Sequence, residues 1–196
     1  MPYLLGLTGS IGMGKSTTAA MFADAGIPVW DADAAVHRLY AMGGAAVAPL
    51  TAIWPHAAIN GQIDRQTLKS IIAADPTALP SIESIVHPLV AIDRAQFLKA
   101  TKTDIALLDI PLLFENQTET TLNATLLVTA PPALQKSRVL ARPGMTDAHF
   151  QTILARQMPD AEKRKRATHI IETLDIIAAC ACVTALIAYI RKQLYA

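Results

Sequence analysis

Gly9-Ser10-Ile11-Gly12-Met13-Gly14-Lys15-Ser16 is the stretch on which the fold turns. It fits the pattern G-x-x-x-x-G-K-[ST] in full. A short apolar run, Pro2–Leu7, precedes it, and a small-and-apolar helical pattern, Ser16–Asp24, follows it and closes at Gly26. Strand, glycine loop and helix are what a phosphate cradle needs. Glycines let the backbone take positive φ, so that the N–H groups along Gly9, Ile11, Gly12, Met13 and Gly14 can turn inward around an anion. The helix that starts near Lys15 adds unpaired N–H groups and a positive dipole end. Lys15 is placed to reach the β- and γ-phosphates of a nucleoside triphosphate. The Ser16 hydroxyl is placed to ligate Mg²⁺, with Thr17 beside it.

Outward from this loop, apolar strands alternate with helical stretches. Ile27–Trp30 reads as a second strand and Asp104–Asp109 (DIALLD) as a third. Ala124–Thr129 (ATLLVT) and His169–Glu172 read as the last two. Strands separated by helices imply parallel pairing through right-handed crossovers. The predicted fold class is therefore α/β, a doubly wound parallel sheet of the P-loop NTPase type. Residues 45–101 are mostly helical, with breaks at Asn60-Gly61 and several prolines. That stretch is too long for a plain crossover and is read as an inserted helical subdomain that binds something. The core is then expected at 1–44, 102–137 and 167–196.

Three groups of residues carry further chemistry. Asp31 and Asp33, two apart at the end of the second strand, are expected to face one side at the edge where open α/β sheets bind ligands. One carboxylate can accept a proton from an attacking hydroxyl, with Asp33 favoured, and the other can orient the acceptor or hold Mg²⁺-bound water. A helix cap is the alternative role for Asp31. Asp109, after its apolar strand, takes the position of a second Mg²⁺-ordering acid. Arg138 and Arg142, four apart, would share a helical face, and the Arg142-Pro143-Gly144 break suggests a hinge for a lid over residues 138–166. Arginines on such a segment can stabilise charge on a transferring γ-phosphoryl group. The basic run from Lys136 to Arg166 is expected to face water or phosphate, since unpaired charge is costly to bury.

Composition bounds these readings. The 196 residues are 52% apolar and 17% charged, which suits a globular chain with one full core. A net charge of +1 argues against a dedicated nucleic-acid binder. Cys180 and Cys182 point in different directions on a helix and give no disulfide framework or metal spacing. The N-terminus runs straight into a strand, with no secretory leader, so a cytoplasmic location is expected. Ile176–Ile190 is almost continuously apolar but shorter than the roughly 20 residues that span a bilayer, so it is read as a core helix. The expected state is a monomer or weak homo-oligomer without a membrane partner.

The chain also resembles the dephospho-CoA kinases. The resemblance rests on Leu7–Thr17, Asp31-Ala32-Asp33, Ile63-Asp64-Arg65 and Ile85-Val86-His87-Pro88. Asp109-Ile110-Pro111-Leu112-Leu113-Phe114-Glu115 and the stretch from Arg138 through Ala155-Arg156-Gln157 complete it. It implies ATP and dephospho-CoA as substrates, a helical CoA-binding insertion and a lid containing Arg138 and Arg142. It implies that Asp33 is the base on a ribose 3′-hydroxyl, and that Arg65 and His87 hold or shape the acceptor site. The chain departs from the family pattern at Ser10 and, near the adenine, at Ala167-Thr168 and Glu172-Thr173. A nucleoside monophosphate kinase would share the loop and lid but not the His-Pro and Pro-Leu-Leu-Phe-Glu features. A regulatory GTPase needs an Asn-Lys-x-Asp motif, which does not occur. A non-catalytic ATP-binding module would have no use for Asp33.

Overall fold

The central sheet forms because three of its strands are apolar on both faces. The computed structural model describes all 196 residues. β1 (Tyr3–Thr8), β5 (Ile105–Asp109), β6 (Ala124–Thr129) and β7 (His169–Glu172) pair in parallel, β1 lying between β5 and β6, with β7 beyond β6. The short β2 (Val29–Asp31) flanks β5, giving the order β2-β5-β1-β6-β7. Every residue of β5 and β6 is buried, which is why both read as continuous hydrophobic runs and not as alternating ones.

Side-chain parity assigns the two faces. Leu5 and Leu7 of β1, Ile105 and Leu107 of β5, and Leu126 and Val128 of β6 share one core cluster with two helices. α1 (Lys15–Asp24) supplies Ala19 and Phe22, and α9 (Ile176–Leu194) supplies Val183, Leu186, Ile187 and Ile190. On the other face the chain after β5 passes close over Gly6, where a Cβ would stand 2.2 Å from a Leu122 methyl and 2.7 Å from a Leu113 methyl. From β1 the chain order runs to β5 on one side and to β6 on the other. The loop after β1 therefore opens at the switch point of the sheet, where such folds bind ligands.

The chain divides into two compact units, Met1–Trp30 with Thr101–Ala196, and Asp31–Ala100. The second has its own apolar core, built from Leu39 of α2 (Ala32–Tyr40), Leu50 of α3 (Val47–Ile53), Leu68 and Ile71 of α4 (Arg65–Ala74), Ile82 and Val86 of α5 (Ala78–Ala100), and Ile63, just ahead of α4. It begins well before residue 45, the boundary expected from sequence, because Val36, Leu39 and Tyr40 of α2 face that core. Asn60 and Gly61 both take positive φ in the two-residue turn joining β3 (Ala58–Ile59) to β4 (Gln62–Ile63), the conformation that favours Asn-Gly.

Two further expectations need correction. α9 runs 19 residues, longer than its apolar run suggested, so length and composition alone would let it cross a membrane. The core-helix expectation holds for one face only: Ala179, Val183, Leu186, Ile187 and Ile190 pack on the sheet, while the rest of the helix, Ile176 and Ile177 included, is exposed. The basic run does not all face solvent either. On α8 (Asp160–Arg166), Lys163 is fully buried against Glu115, while Arg164 pairs with Asp160 and Glu172.

Candidate active site

The loop from Gly9 to Ser16 is shaped by close approaches that only glycine permits. Gly12 has φ +78°, and a Cβ there would lie 2.5 Å from Val139 Cγ2 of α6 (Pro132–Leu140). Gly14, at φ +90°, is the N-cap of α1 and lies against Thr173. With no side chain at the cap, the N–H groups of Lys15, Ser16 and Thr17 have no intrahelical acceptor and face outward as an anion site.

Lys15 Nζ lies 2.6 Å from Asp109 Oδ1, and Asp109 is almost wholly buried at the end of β5. The pair brings together two residues singled out from sequence, 94 positions apart. Ile11 and Met13 differ from the expectation of open N–H donors. Ile11 N–H already donates to Gln157 Oε1 at 3.1 Å, and Met13 N–H closes a turn onto the Ser10 carbonyl at 3.1 Å.

A cleft of about 270 Å³ runs beside the loop, lined by Gly12, Gly14, Thr17, Thr18 and Met21 on one side and by Arg138, Arg142, Thr173, Asp175 and Ile176 on the other. Arg138 and Arg142 do not share a helix, because α6 ends at Leu140. They reach the cleft all the same. Arg138 is held in place by Thr173, whose hydroxyl oxygen accepts from Nη1 at 3.0 Å and whose carbonyl accepts from Nη2 at 2.5 Å. The Thr173 hydroxyl in turn donates to the Met13 carbonyl at 2.8 Å. In the sequence Thr173 stands out only as a departure from the family pattern. Its bonding role depends on β7 ending beside the loop, which no local pattern announces.

Asp31 and Asp33 do not lie on one strand. Asp31 ends β2 and caps α2, its Oδ1 accepting from Ala34 N–H at 2.9 Å, while Asp33 sits in the first turn of that helix. The strand parity expected of them therefore does not apply. Asp33, Arg65 and His87 belong to the Asp31–Ala100 unit and are exposed there. Asp64, just before Arg65, caps α4 by accepting from Thr67 N–H at 2.7 Å.

Glu115, the last residue of the Pro-Leu-Leu-Phe-Glu stretch, makes a buried junction. Its Oε1 lies 2.8 Å from Lys163 Nζ and accepts from Met158 N–H at 2.9 Å. Burial on its own would raise the Glu115 carboxyl. The Lys163 hydrogen bond and the Met158 N–H outweigh it, and the group is held below the ordinary carboxylate value.

The family model for dephospho-CoA kinase matches residues 3–177. The chain belongs to the dephospho-CoA kinase family. A dephospho-CoA kinase of Cereibacter sphaeroides is 65% identical over 191 residues, 97% of each chain. A solved Thermus thermophilus structure superposes with a TM-score of 0.86 at 36% identity, covering 96% of this chain and 97% of that one. A Campylobacter jejuni dephospho-CoA kinase shares the fold, with a TM-score of 0.69 at 23% identity over 95% of this chain and 98% of that one.

Proposed function

We propose that this chain uses ATP to phosphorylate the ribose 3′-hydroxyl of dephospho-CoA, giving coenzyme A and ADP. The observation that carries the reading is the complete strand–loop–helix cradle, with Lys15 poised on Asp109, in a chain that matches the dephospho-CoA kinase family over nearly its whole length. The triphosphate lies along the loop, against the N–H groups of Gly12, Gly14, Lys15, Ser16 and Thr17, with Gly9, Ile11 and Met13 completing its wall. The nucleoside lies in the cleft between Met21 and the Arg138–Thr173 contact.

In the reaction the acceptor oxygen attacks the γ-phosphorus, and the bond to the β–γ bridging oxygen breaks. Asp33 takes the hydroxyl proton as the new P–O bond forms. Lys15 exchanges its contact with Asp109 for the β- and γ-phosphate oxygens. Arg142 and Arg138, in the lid over 138–166, balance the charge spread over the equatorial oxygens of the transferring group. Arg65 and His87 hold the acceptor, the Asp31–Ala100 unit serves as its binding domain, and Asp31 fixes the helix that carries Asp33.

Ser16 and Asp109 fit a Mg²⁺ site. Both are hard oxygen donors, and the Asp109 carboxylate already faces a cation, the Lys15 ammonium at 2.6 Å. The two oxygen donors would hold Mg²⁺ together with phosphate oxygens and water. When bound it would neutralise charge on the β- and γ-phosphates. A cytoplasmic enzyme, monomeric or weakly self-associating, accompanies this reading.

The test is to incubate the protein with ATP, Mg²⁺ and either dephospho-CoA or AMP and to weigh the products. A gain of one phosphate on dephospho-CoA and none on AMP is expected. Phosphorylation of AMP alone would replace this reading with a nucleoside monophosphate kinase.

A further inference from the structure

Two carboxamides grip the phosphate loop at Ile11. The Ile11 N–H donates to Gln157 Oε1 at 3.1 Å, and the Ile11 carbonyl accepts from Gln135 Nε2 at 2.8 Å. These bonds pin two consecutive peptide planes, Ser10–Ile11 and Ile11–Gly12. The next residue, Gly12, sits at φ +78°, a sign of φ that glycine adopts about as readily as the opposite one. Without side-chain partners, the peptide before Gly12 has little to stop it from rotating.

The two arms come from different places. Gln135 is buried on α6, with Gly12 packed against its backbone and Cγ. Gln157 lies in the turn between α7 (Asp147–Leu154) and α8, a short connection that is mobile unless something fixes it. Here something does. The N–H of Met158, the very next residue, donates to Glu115 Oε1, which also meets the fully buried Lys163. The contacts form one line: Lys163, Glu115, the Met158 amide, Gln157, Ile11. A buried ion pair is weak evidence for stability, because apolar residues of similar size often serve as well. Its placement one residue from Gln157 gives it a different use. It removes the freedom Gln157 would otherwise lose when it engages the loop.

We propose that Gln157 and Gln135 are positioning residues that hold the phosphate loop in its binding shape before nucleotide arrives, with the Glu115–Lys163 pair anchoring the Gln157 arm. The proposal rests on the reading of the loop as the ATP cradle. Neither glutamine needs to touch the reacting atoms.

The test uses the full chain as wild type, Gln157→Met and Gln157→Glu. Methionine keeps the length and apolar stem but loses the acceptor, and glutamate restores an acceptor oxygen. Amide exchange followed by NMR without nucleotide should show Ile11 N–H protected in the wild type. Exchange should be about tenfold faster in Gln157→Met, the value of one hydrogen bond, and protection should return in Gln157→Glu. The Leu107 amide, bonded to the Pro28 carbonyl within the sheet, serves as the unchanged reference. Calorimetric titration with Mg·ATP should show about a tenfold rise in Kd for Gln157→Met, while kcat at saturating ATP changes by less than about threefold. Unchanged Ile11 exchange overturns the clamp. Tighter ATP binding by Gln157→Met also overturns it, since Gln157 would then be a competitor of phosphate and not a support. A wild type that binds no ATP defeats the reading of the loop, whereas the exchange data judge the clamp by themselves.

Discussion

The phosphate loop and the Asp31–Ala100 unit are built in opposite ways. In the loop, three residues are fixed by partners distant in sequence: Lys15 by Asp109, Met13 by Thr173 and Ala130, Ile11 by Gln135 and Gln157. Glycines there are required by backbone angle and by contact distance. In the other unit the candidate chemical residues, Asp33, Arg65 and His87, stand exposed on helices whose buried faces form an independent apolar core. The first region gains rigidity from polar contacts between distant residues, whereas in the second apolar packing holds the helices, with local caps at Asp31 and Asp64 and the Arg38–Asp93 pair added to it. Substitutions in the loop should therefore disturb binding and local structure together. Substitutions at the exposed residues should disturb chemistry alone.

Lys15→Ala should break the first half of that comparison most severely. It removes the cation on the β- and γ-phosphates, and turnover of ATP with dephospho-CoA should fall by several orders of magnitude. Far-UV circular dichroism should still report a folded chain. Near-normal turnover would remove Lys15 from the site. Asp33→Asn probes the second half. It preserves shape and removes the proton acceptor, so kcat should drop by about 10²–10⁴-fold, the usual yield of general base catalysis. ATP affinity and the unfolding midpoint should stay near wild type, because Asp33 is exposed. A large loss of stability in this variant would contradict the contrast between the two regions.

Glu115→Gln sharpens the comparison from the stability side. It leaves Lys163 buried without its carboxylate, which costs about 3–5 kcal/mol by analogy with other broken buried pairs. Urea unfolding at neutral pH measures that loss. The pH dependence has a definite sign. The folded Glu115 carboxyl lies below its ordinary value of 4.5, so its contribution is complete above that value and is lost as pH falls through the lower folded one. The gap between wild type and variant should therefore narrow on acidification below about pH 4.5 and be constant above about pH 6. A gap that widens in acid would mean that the pair does not hold Glu115 ionised.

The parts of the molecule visible in sequence are those fixed by local pattern. β6 and β7 fall on Ala124–Thr129 and His169–Glu172 as read; for β6 the reason is a buried, largely apolar run closed by Pro131-Pro132, and for β7 a short Ile170-Ile171 pair set between two helical stretches. The phosphate loop was legible because its glycines, lysine and serine are contiguous. Thr173 and Gln135 were not, since each acts on the loop from more than 120 residues away. Lys163 misled for a related reason. Within a run of four basic residues on α8 nothing local distinguishes the one whose face turns inward, and only the position of Glu115 does so. Asp31 and Asp33 were misplaced by a shift of one or two residues at the end of β2, which changed strand parity into a helix cap.

That cap supports the smallest of these effects, and it separates two roles with a pair of substitutions. Asp31 Oδ1 accepts from Ala34 N–H, satisfying one of the N–H groups that the start of α2 leaves unpaired. Asparagine caps about as well as aspartate, whereas alanine cannot cap at all. Asp31→Ala should therefore lower stability by about 1 kcal/mol, and Asp31→Asn should leave it within a few tenths of wild type. Activity should follow stability if the carboxylate serves only to fix the helix bearing Asp33. In that case Asp31→Asn keeps the wild-type KM for dephospho-CoA, and Asp31→Ala loses some kcat because the frayed first turn places Asp33 less well. A KM raised equally in both variants would mean that the negative charge itself meets the acceptor. Asp31 would then belong with the exposed, chemically committed residues and not with the supports of the fold.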